Sequence, residues 1–309
     1  MEKFLTVAQV VAPIFVSILL GMLAKKKSWV SPEGIQGFQD FVMKIGLPCV
    51  VFNSCLTADM GAESVSSMAF VLPLMILSTL WAFRARKKQF PYYNLPQLFC
   101  AQETGMLGIP LFMILFGADQ AYRVGVLDLT QAVTAYPVIA ILSSGAGANL
   151  SVPQIAKKVI TSPLMLMSLL GLALNFSGVG DWLDSVGVGA VITESTGFLS
   201  QPISALMIFS VGYNFSLSKE SRKAVFRISA LHFVLFAVFC GIIQLGLCLV
   251  PNMDALTRWA ILLYCFLPAS YLAPALGRGK EDREMASGVC SILTVTSLMV
   301  FCIMAAVVA

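Results

Sequence analysis

Apolar runs of about 20 residues, separated by short polar gaps, recur along the whole 309-residue chain. A helix of that length crosses the hydrocarbon core of a bilayer. Hydrophobic residues make up 58% of the sequence and charged residues 12%, whereas a soluble domain carries about 25% charged residues. The sequence therefore predicts an all-α membrane protein surrounded by the lipid bilayer. The net charge of +4 belongs to the loops and does not indicate nucleic acid as a partner.

Ten membrane spans are predicted, and no soluble domain interrupts them, so residues 1–309 form a single membrane domain. The first apolar run is followed, not preceded, by its cluster of lysines, which is typical of a retained helix and not of a cleaved signal peptide. The predicted spans cover residues 4–24, 34–57, 66–85, 95–117, 120–144, 159–177, 189–212, 225–249, 256–277 and 285–308.

The distribution of basic residues predicts the orientation of these spans. Loops that face the cytoplasm carry an excess of Lys and Arg. Sixteen of the 20 basic residues lie in alternate loops, at 25–33, 84–94, 145–158, 213–227 and 278–284. These loops are therefore expected on the cytoplasmic side of the cell (inner) membrane, and both chain termini on the non-cytoplasmic side.

Residues 1–150 and 151–309 share a weak internal repeat. Three segments of the first half match segments of the second in the same order, namely 13–21 with 163–171, 40–48 with 194–202, and 110–117 with 268–277. Each half holds five predicted spans, and because five is odd the second copy must enter the membrane from the opposite side. Inverted repeats of this kind are typical of secondary transporters.

The predicted fourth span carries an unusual cluster of polar and helix-weakening residues. Proline removes a backbone hydrogen bond and glycine weakens a helix. A helix broken at membrane depth leaves polar backbone groups for a cavity or ligand to satisfy. A simple proline kink is the alternative. The cluster holds Gln102, Glu103, Thr104, Gly105, Gly108 and Pro110, and the predicted ninth span has a counterpart at Pro268 and Pro274.

Glu103, Lys44 and Asp128 are ionisable residues inside predicted spans, where a charge costs at least ~2.5 kcal/mol. Glu103 is the leading candidate for coupling to an ion, with a structural acid hydrogen-bonded to unwound backbone as the alternative. Lys44 is expected either to attract an anion, to pair with Glu103 or to extend to the membrane surface. Asp128 is equally suited to bind a coupling ion or to pack as a polar residue. Asp40 and Glu194 are expected at the interface.

Neutral polar residues near the prolines complete the candidate site: Asn53, Gln201, Ser270 and Tyr271. Such residues also hold membrane helices together. The eight cysteines form no CxxC pair and the single histidine has no ligand neighbour, so no metal or cofactor is predicted. Without a nucleotide-binding loop or a nucleophile motif, an enzyme is not expected.

Several stretches resemble the auxin efflux carrier family, which includes bacterial carriers of organic anions such as malonate. They are 47–52 (LPCVVF), 104–111 (TGMLGIPL) with Gly117, 267–269 (LPA), 286–287 and 291–298. The resemblance implies two inverted sets of five helices with broken, crossing helices 4 and 9. It also implies scaffold helices 1, 2, 6 and 7, often dimeric, and transport helices 3–5 and 8–10. Glu103 departs from the Asn common in this family, and the acid suits a cation or a proton.

These observations predict a secondary active transporter. It is expected to carry a small organic anion, a mono- or dicarboxylate such as malonate, by alternating access coupled to protons or sodium. The N-termini of the half-helices are expected to face the anion. The alternatives are a sodium-coupled symporter resembling bile-acid carriers and a membrane receptor that binds without transporting.

Overall fold

A computed structural model describes residues 2–56, 62–144, 161, 163–215, 222–251 and 253–308. The described chain is built of helices. Three of them are long and apolar enough to cross a membrane, at Ser64–Lys88, Arg222–Leu247 and Lys280–Val308. Shorter apolar helices cover Thr104–Phe116, Met165–Phe176 and Ala255–Phe266. The prediction of an all-α protein with membrane-spanning helices is confirmed at this level.

The described residues of the first half contain seven α-helices. A wide π-helical turn at Val42–Gly46 joins the second to the third, and another at Thr104–Gly108 precedes the sixth. The helices are α1 (Glu2–Lys27), α2 (Pro32–Phe41), α3 (Leu47–Leu56), α4 (Ala62–Lys88), α5 (Gln97–Cys100), α6 (Ile109–Phe116) and α7 (Tyr122–Ser144).

Seven α-helices also lie in the part of the second half that the structure describes. They are α8 (Pro163–Phe176), α9 (Val179–Ser185), α10 (Val188–Ser200), α11 (Ile203–Asn214), α12 (Arg222–Leu247), α13 (Ala255–Phe266) and α14 (Lys280–Val308). A turn at Gln201 and Pro202 divides the predicted seventh span, because proline cannot donate the next helical hydrogen bond. Helix α9 was not predicted. The predicted loop at 145–158 and the repeat boundary near 150 lie outside the described residues.

Two pairs of helices pack so closely that glycine is required between them. Helix α1 lies along α11, and α8 lies along α3. A side chain at Gly21 would collide with the backbone of residues 209–213 in α11. A side chain at Gly171 would collide in the same way with the backbone of residues 52–56 in α3. Gly21 and Gly171 occupy matching positions of the internal repeat, so the repeat is accompanied by matching contacts.

The remaining long helices also pack in corresponding pairs. Helix α4 lies against α7 in the first half, and α12 lies against α14 in the second. Helix α13 contacts α7 as well as α12 and α14, so it links the two halves. Its Tyr264 is one of the largest fully buried side chains, together with Phe112 of α6. The buried core therefore surrounds the part of the chain in which the helices are interrupted.

Candidate functional site

Two helices are interrupted in the protein interior, and the unwound backbone segments at the two interruptions pair with each other. The first interruption follows α5, where Ala101 is extended (φ −157°, ψ 144°). The second follows α13, where Leu267 is extended (φ −64°, ψ 153°). Gln102 and Ala269 form an isolated antiparallel bridge between them. The chain is thus unwound at both predicted places, and the two places meet.

We call the place where the two interruptions meet, residues 101–103 and 267–271, the crossing. Backbone hydrogen bonds across it replace those lost from the helices. Glu103 N donates to Pro268 O at 2.8 Å, and Ser270 N donates to Ala101 O at 3.2 Å. Unpaired backbone groups inside a membrane cost several kcal/mol each, which is why the two interruptions stabilise each other. Pro110 does not itself mark the break. It lies buried in the first turn of α6, several residues further on.

The Glu103 carboxylate joins the two interruptions. Its Oε1 accepts a hydrogen bond from Met106 N at 3.3 Å, and its Oε2 accepts one from Tyr271 N at 2.7 Å. The side chain is buried, with 8% of the residue exposed. A carboxylate is favourable where backbone N–H groups point out of a helix start. Glu103 therefore fills the position in which the sequence predicted a substrate anion.

Asp128 and Gln131 of α7 form hydrogen bonds with the first interruption. Thr104 Oγ1 donates to Asp128 Oδ1, and Gln131 Nε2 donates to the same oxygen at 2.9 Å. Gln131 also holds the backbone of Gln102, donating to its O at 3.0 Å and accepting from its N at 2.7 Å. Tyr264 OH donates to Gln131 Oε1 at 3.0 Å. Gln131 follows Asp128 by one turn of the same predicted span, but its sequence position alone did not predict a role in the site.

A cavity of about 810 Å³ lies beside the crossing. Its walls come from both interruptions, from α7 and α14, and from α2 with the π turn that follows. Nine residues predicted for the site line it, namely Lys44, Gln102, Glu103, Thr104, Gly105, Asp128, Ser270, Tyr271 and Pro274.

The wall formed by α2 carries an ion pair. Lys44 Nζ lies 2.8 Å from Asp40 Oδ2, with side chains 64% and 47% exposed. Gln36 Nε2 donates to Asp40 Oδ1 at 3.1 Å. The ionic partner of Lys44 is thus Asp40 and not Glu103, because the two residues stand one turn apart on the same face. Asp40, expected at the membrane interface, belongs to the cavity wall.

The other predicted site residues support the crossing without lining the cavity. Pro268 contributes its carbonyl to the backbone pairing. Its O also lies 3.2 Å from the carboxamide of Gln102, a residue that does line the cavity. At Gly108 a Cβ would stand 2.6 Å from Leu267 Cδ1. Glycine is therefore needed there for the close approach of the second interruption.

Asn53 and Gln201 lie away from the cavity. Asn53 Oδ1 accepts a hydrogen bond from Thr196 Oγ1 at 2.7 Å, which joins α3 to α10. Gln201 is exposed at the turn between α10 and α11. Both stand beside prolines, as the sequence analysis noted, but these prolines belong to other parts of the fold. Their placement corresponds to the alternative in which polar residues hold helices together.

The charges around the cavity are unbalanced. Glu103, Asp128 and Asp40 contribute three carboxyl groups, whereas Lys44 is the one basic side chain in the described lining. Lys44 is already paired with Asp40. Glu103 and Asp128 therefore have no basic partner among the described lining residues.

No protein-family model matches the chain. The chain is similar to a protein named "Uncharacterized transporter" from Methanothermobacter thermautotrophicus strain Delta H. The two sequences are 22% identical over 305 residues, and the alignment covers 96% of each chain. The similarity thus spans both interruptions and the helices around them.

Proposed function

We propose that this protein is a secondary active transporter of a small organic anion, a mono- or dicarboxylate such as malonate, in the cell (inner) membrane. The observation that carries the proposal is the pairing of two interrupted helices beside a polar cavity of about 810 Å³. Transporters place their binding sites at such interruptions. Similarity over nearly the whole chain to a protein named as a transporter supports the same role.

The fold proposed for this role has ten spans in two inverted repeats. Matching contacts support it, because α1 packs on α11 as α8 packs on α3, and α4 packs on α7 as α12 packs on α14. Spans 1, 2, 6 and 7 would form the scaffold, through which two copies could associate. Spans 3–5 and 8–10 would form the moving domain. Residues of α2 and of the crossing line the cavity, so motion of the proposed scaffold relative to the proposed moving domain would change access to it.

Protons or sodium ions are proposed to drive transport, with Glu103 and Asp128 as the coupling residues. Both line the cavity, and the one described basic residue there is paired with Asp40. Binding of a proton or a sodium ion would relieve the repulsion between the two carboxylates. The cation would then accompany the substrate when the moving domain changes its position.

Transport by the purified protein tests this proposal. Proteoliposomes would be given radiolabelled malonate, malate or acetate under imposed proton or sodium gradients. We expect uptake above that of protein-free liposomes with at least one acid, and a clear increase with one of the two gradients. The absence of uptake of any of the acids under every gradient would refute transport of this substrate class.

The same preparation separates the alternatives. A sodium-coupled symporter would be stabilised against heat by sodium and not by potassium. A receptor would bind its ligand without flux into liposomes. The cavity is compatible with both alternatives, and the gradient dependence of uptake decides among the three.

A further inference from the structure

The N–H groups at the crossing have an acceptor within the protein. Glu103 accepts hydrogen bonds from Met106 N and Tyr271 N, at 3.3 and 2.7 Å. A substrate carboxylate at the same point would have to share these donors with Glu103 and would face its charge. The substrate's own charge therefore needs a different partner in the cavity.

Lys44 is the basic side chain that the described cavity lining offers. Asp40 Oδ2, on the preceding turn, lies 2.8 Å from Lys44 Nζ, and both side chains are about half exposed. An exposed i,i+4 pair of this kind changes an equilibrium constant by only about twofold. Another carboxylate can therefore replace Asp40 at Lys44 with little loss.

The amide side chain of Gln36, which also lines the cavity, favours such an exchange. Gln36 Nε2 donates to Asp40 Oδ1 at 3.1 Å, so Asp40 keeps a hydrogen bond when Lys44 turns to a ligand.

We propose that Lys44 binds a carboxylate group of the substrate, and that Asp40 competes with the substrate for this lysine. The inference rests on the proposed function in taking the cavity as the substrate site. According to this proposal, the substrate's carboxylate binds beside α2 and not at the crossing, and Asp40 lowers the affinity for the substrate. The coupling ion binds at the crossing.

The experiment measures ligand binding separately from transport. Thermal unfolding of the purified protein in detergent would be followed against increasing malonate, acetate or methylammonium. Asp40→Asn is expected to lower the half-saturating malonate concentration about twofold, because the competitor is removed. Lys44→Gln is expected to raise it up to about fivefold, because an exposed ion pair with the substrate is lost. Lys44→Arg keeps the charge and should remain within about threefold of the wild type.

Glu33→Gln is the matched control, since Glu33 is an exposed carboxylate of the same helix that does not line the cavity. Malonate binding by this variant should equal that of the wild type. The proposal is overturned if neither acid stabilises the wild type, if Lys44→Gln binds malonate as the wild type does, or if Asp40→Asn weakens binding. Stabilisation by methylammonium that Asp40→Asn removes would also overturn it. Binding with the expected variant effects but without flux into liposomes would refute transport alone.

Discussion

At the scale of single residues, Glu103 connects the parts of the candidate site. Its backbone N–H donates to Pro268, and its two carboxylate oxygens accept from Met106 and Tyr271. One residue thus supplies three of the hydrogen bonds that an interrupted pair of helices requires. The same side chain faces the cavity close to Asp128. Structural and coupling roles, which the sequence analysis treated as alternatives, are compatible in this position.

Replacing Glu103 with glutamine tests both roles. The Gln side chain offers one acceptor oxygen instead of two, so the N–H of Met106 or of Tyr271 loses its partner. An unsatisfied buried donor costs about 1–3 kcal/mol, and the thermal unfolding midpoint in detergent should fall accordingly. Because Gln cannot be ionised, proton-driven uptake by the variant should no longer change with external pH.

Glu194→Gln is the control for this substitution. Glu194 is an exposed carboxylate of α10 that does not line the cavity, so its loss should alter neither the midpoint nor the pH profile. An unchanged pH profile in Glu103→Gln would remove Glu103 from the coupling mechanism. An unchanged midpoint would contradict its bridging role.

At the scale of secondary structure elements, the two π turns meet beside the cavity. A Cβ at Gly105, in the second π turn, would lie 3.4 Å from Met43 Sδ in the first. Single π turns inside helices are common at functional sites. Here one turn carries Lys44 and the other follows Glu103. The contact therefore brings the proposed anion-binding wall against the proposed ion-coupling wall.

The glycine between α8 and α3 provides a test of helix packing. A Cβ at Gly171 would stand 2.6 Å from Phe52 O and 3.0 Å from Cys55 Cβ. We expect Gly171→Ala to push the helices apart and to destabilise the protein by about 1–3 kcal/mol, the usual cost of overpacking. The thermal unfolding midpoint in detergent measures the change.

Gly197→Ala is the matched control, because Gly197 also lies in a helix but nothing stands within 4 Å of the added Cβ. Alanine should stabilise the helix there by up to about 1 kcal/mol. Opposite shifts of the two variants would support close packing of α8 on α3. A stabilising effect of Gly171→Ala would show that these helices are not as close as described.

At the scale of the whole molecule, the helices form two sets of corresponding contacts around one crossing. Helices of the proposed scaffold pack against each other at glycines. The interrupted helices contact each other through unwound backbone and buried polar side chains. At interfaces of the first kind, the helix backbones approach each other closely. The cavity lies where the two kinds of packing meet. This is where a relative motion of two domains would open or close a path.

The orientation predicted from the basic loops can be tested with single cysteines. Lys87→Cys should be protected from a membrane-impermeant thiol reagent in right-side-out vesicles, because its basic loop is expected to face the cytoplasm. Asp119→Cys, on the opposite side, should react. Both positions are exposed. The background would carry Cys248→Ser, since Cys248 is an exposed native cysteine. The reverse labelling pattern would place the termini in the cytoplasm.

The sequence by itself determined that the chain forms membrane-crossing helices, and it located the interruptions near residues 102–110 and 267–274. These features are local, because the bilayer thickness sets the length of an apolar run and proline and glycine act on their own turn of helix. Only the tertiary structure decided the partners of the polar groups. Glu103 binds the N–H of Tyr271, 168 residues away, and Lys44 pairs with Asp40 instead of Glu103. Such partners follow from the way in which the interrupted helices cross, and hydropathy along the chain contains no information about that crossing.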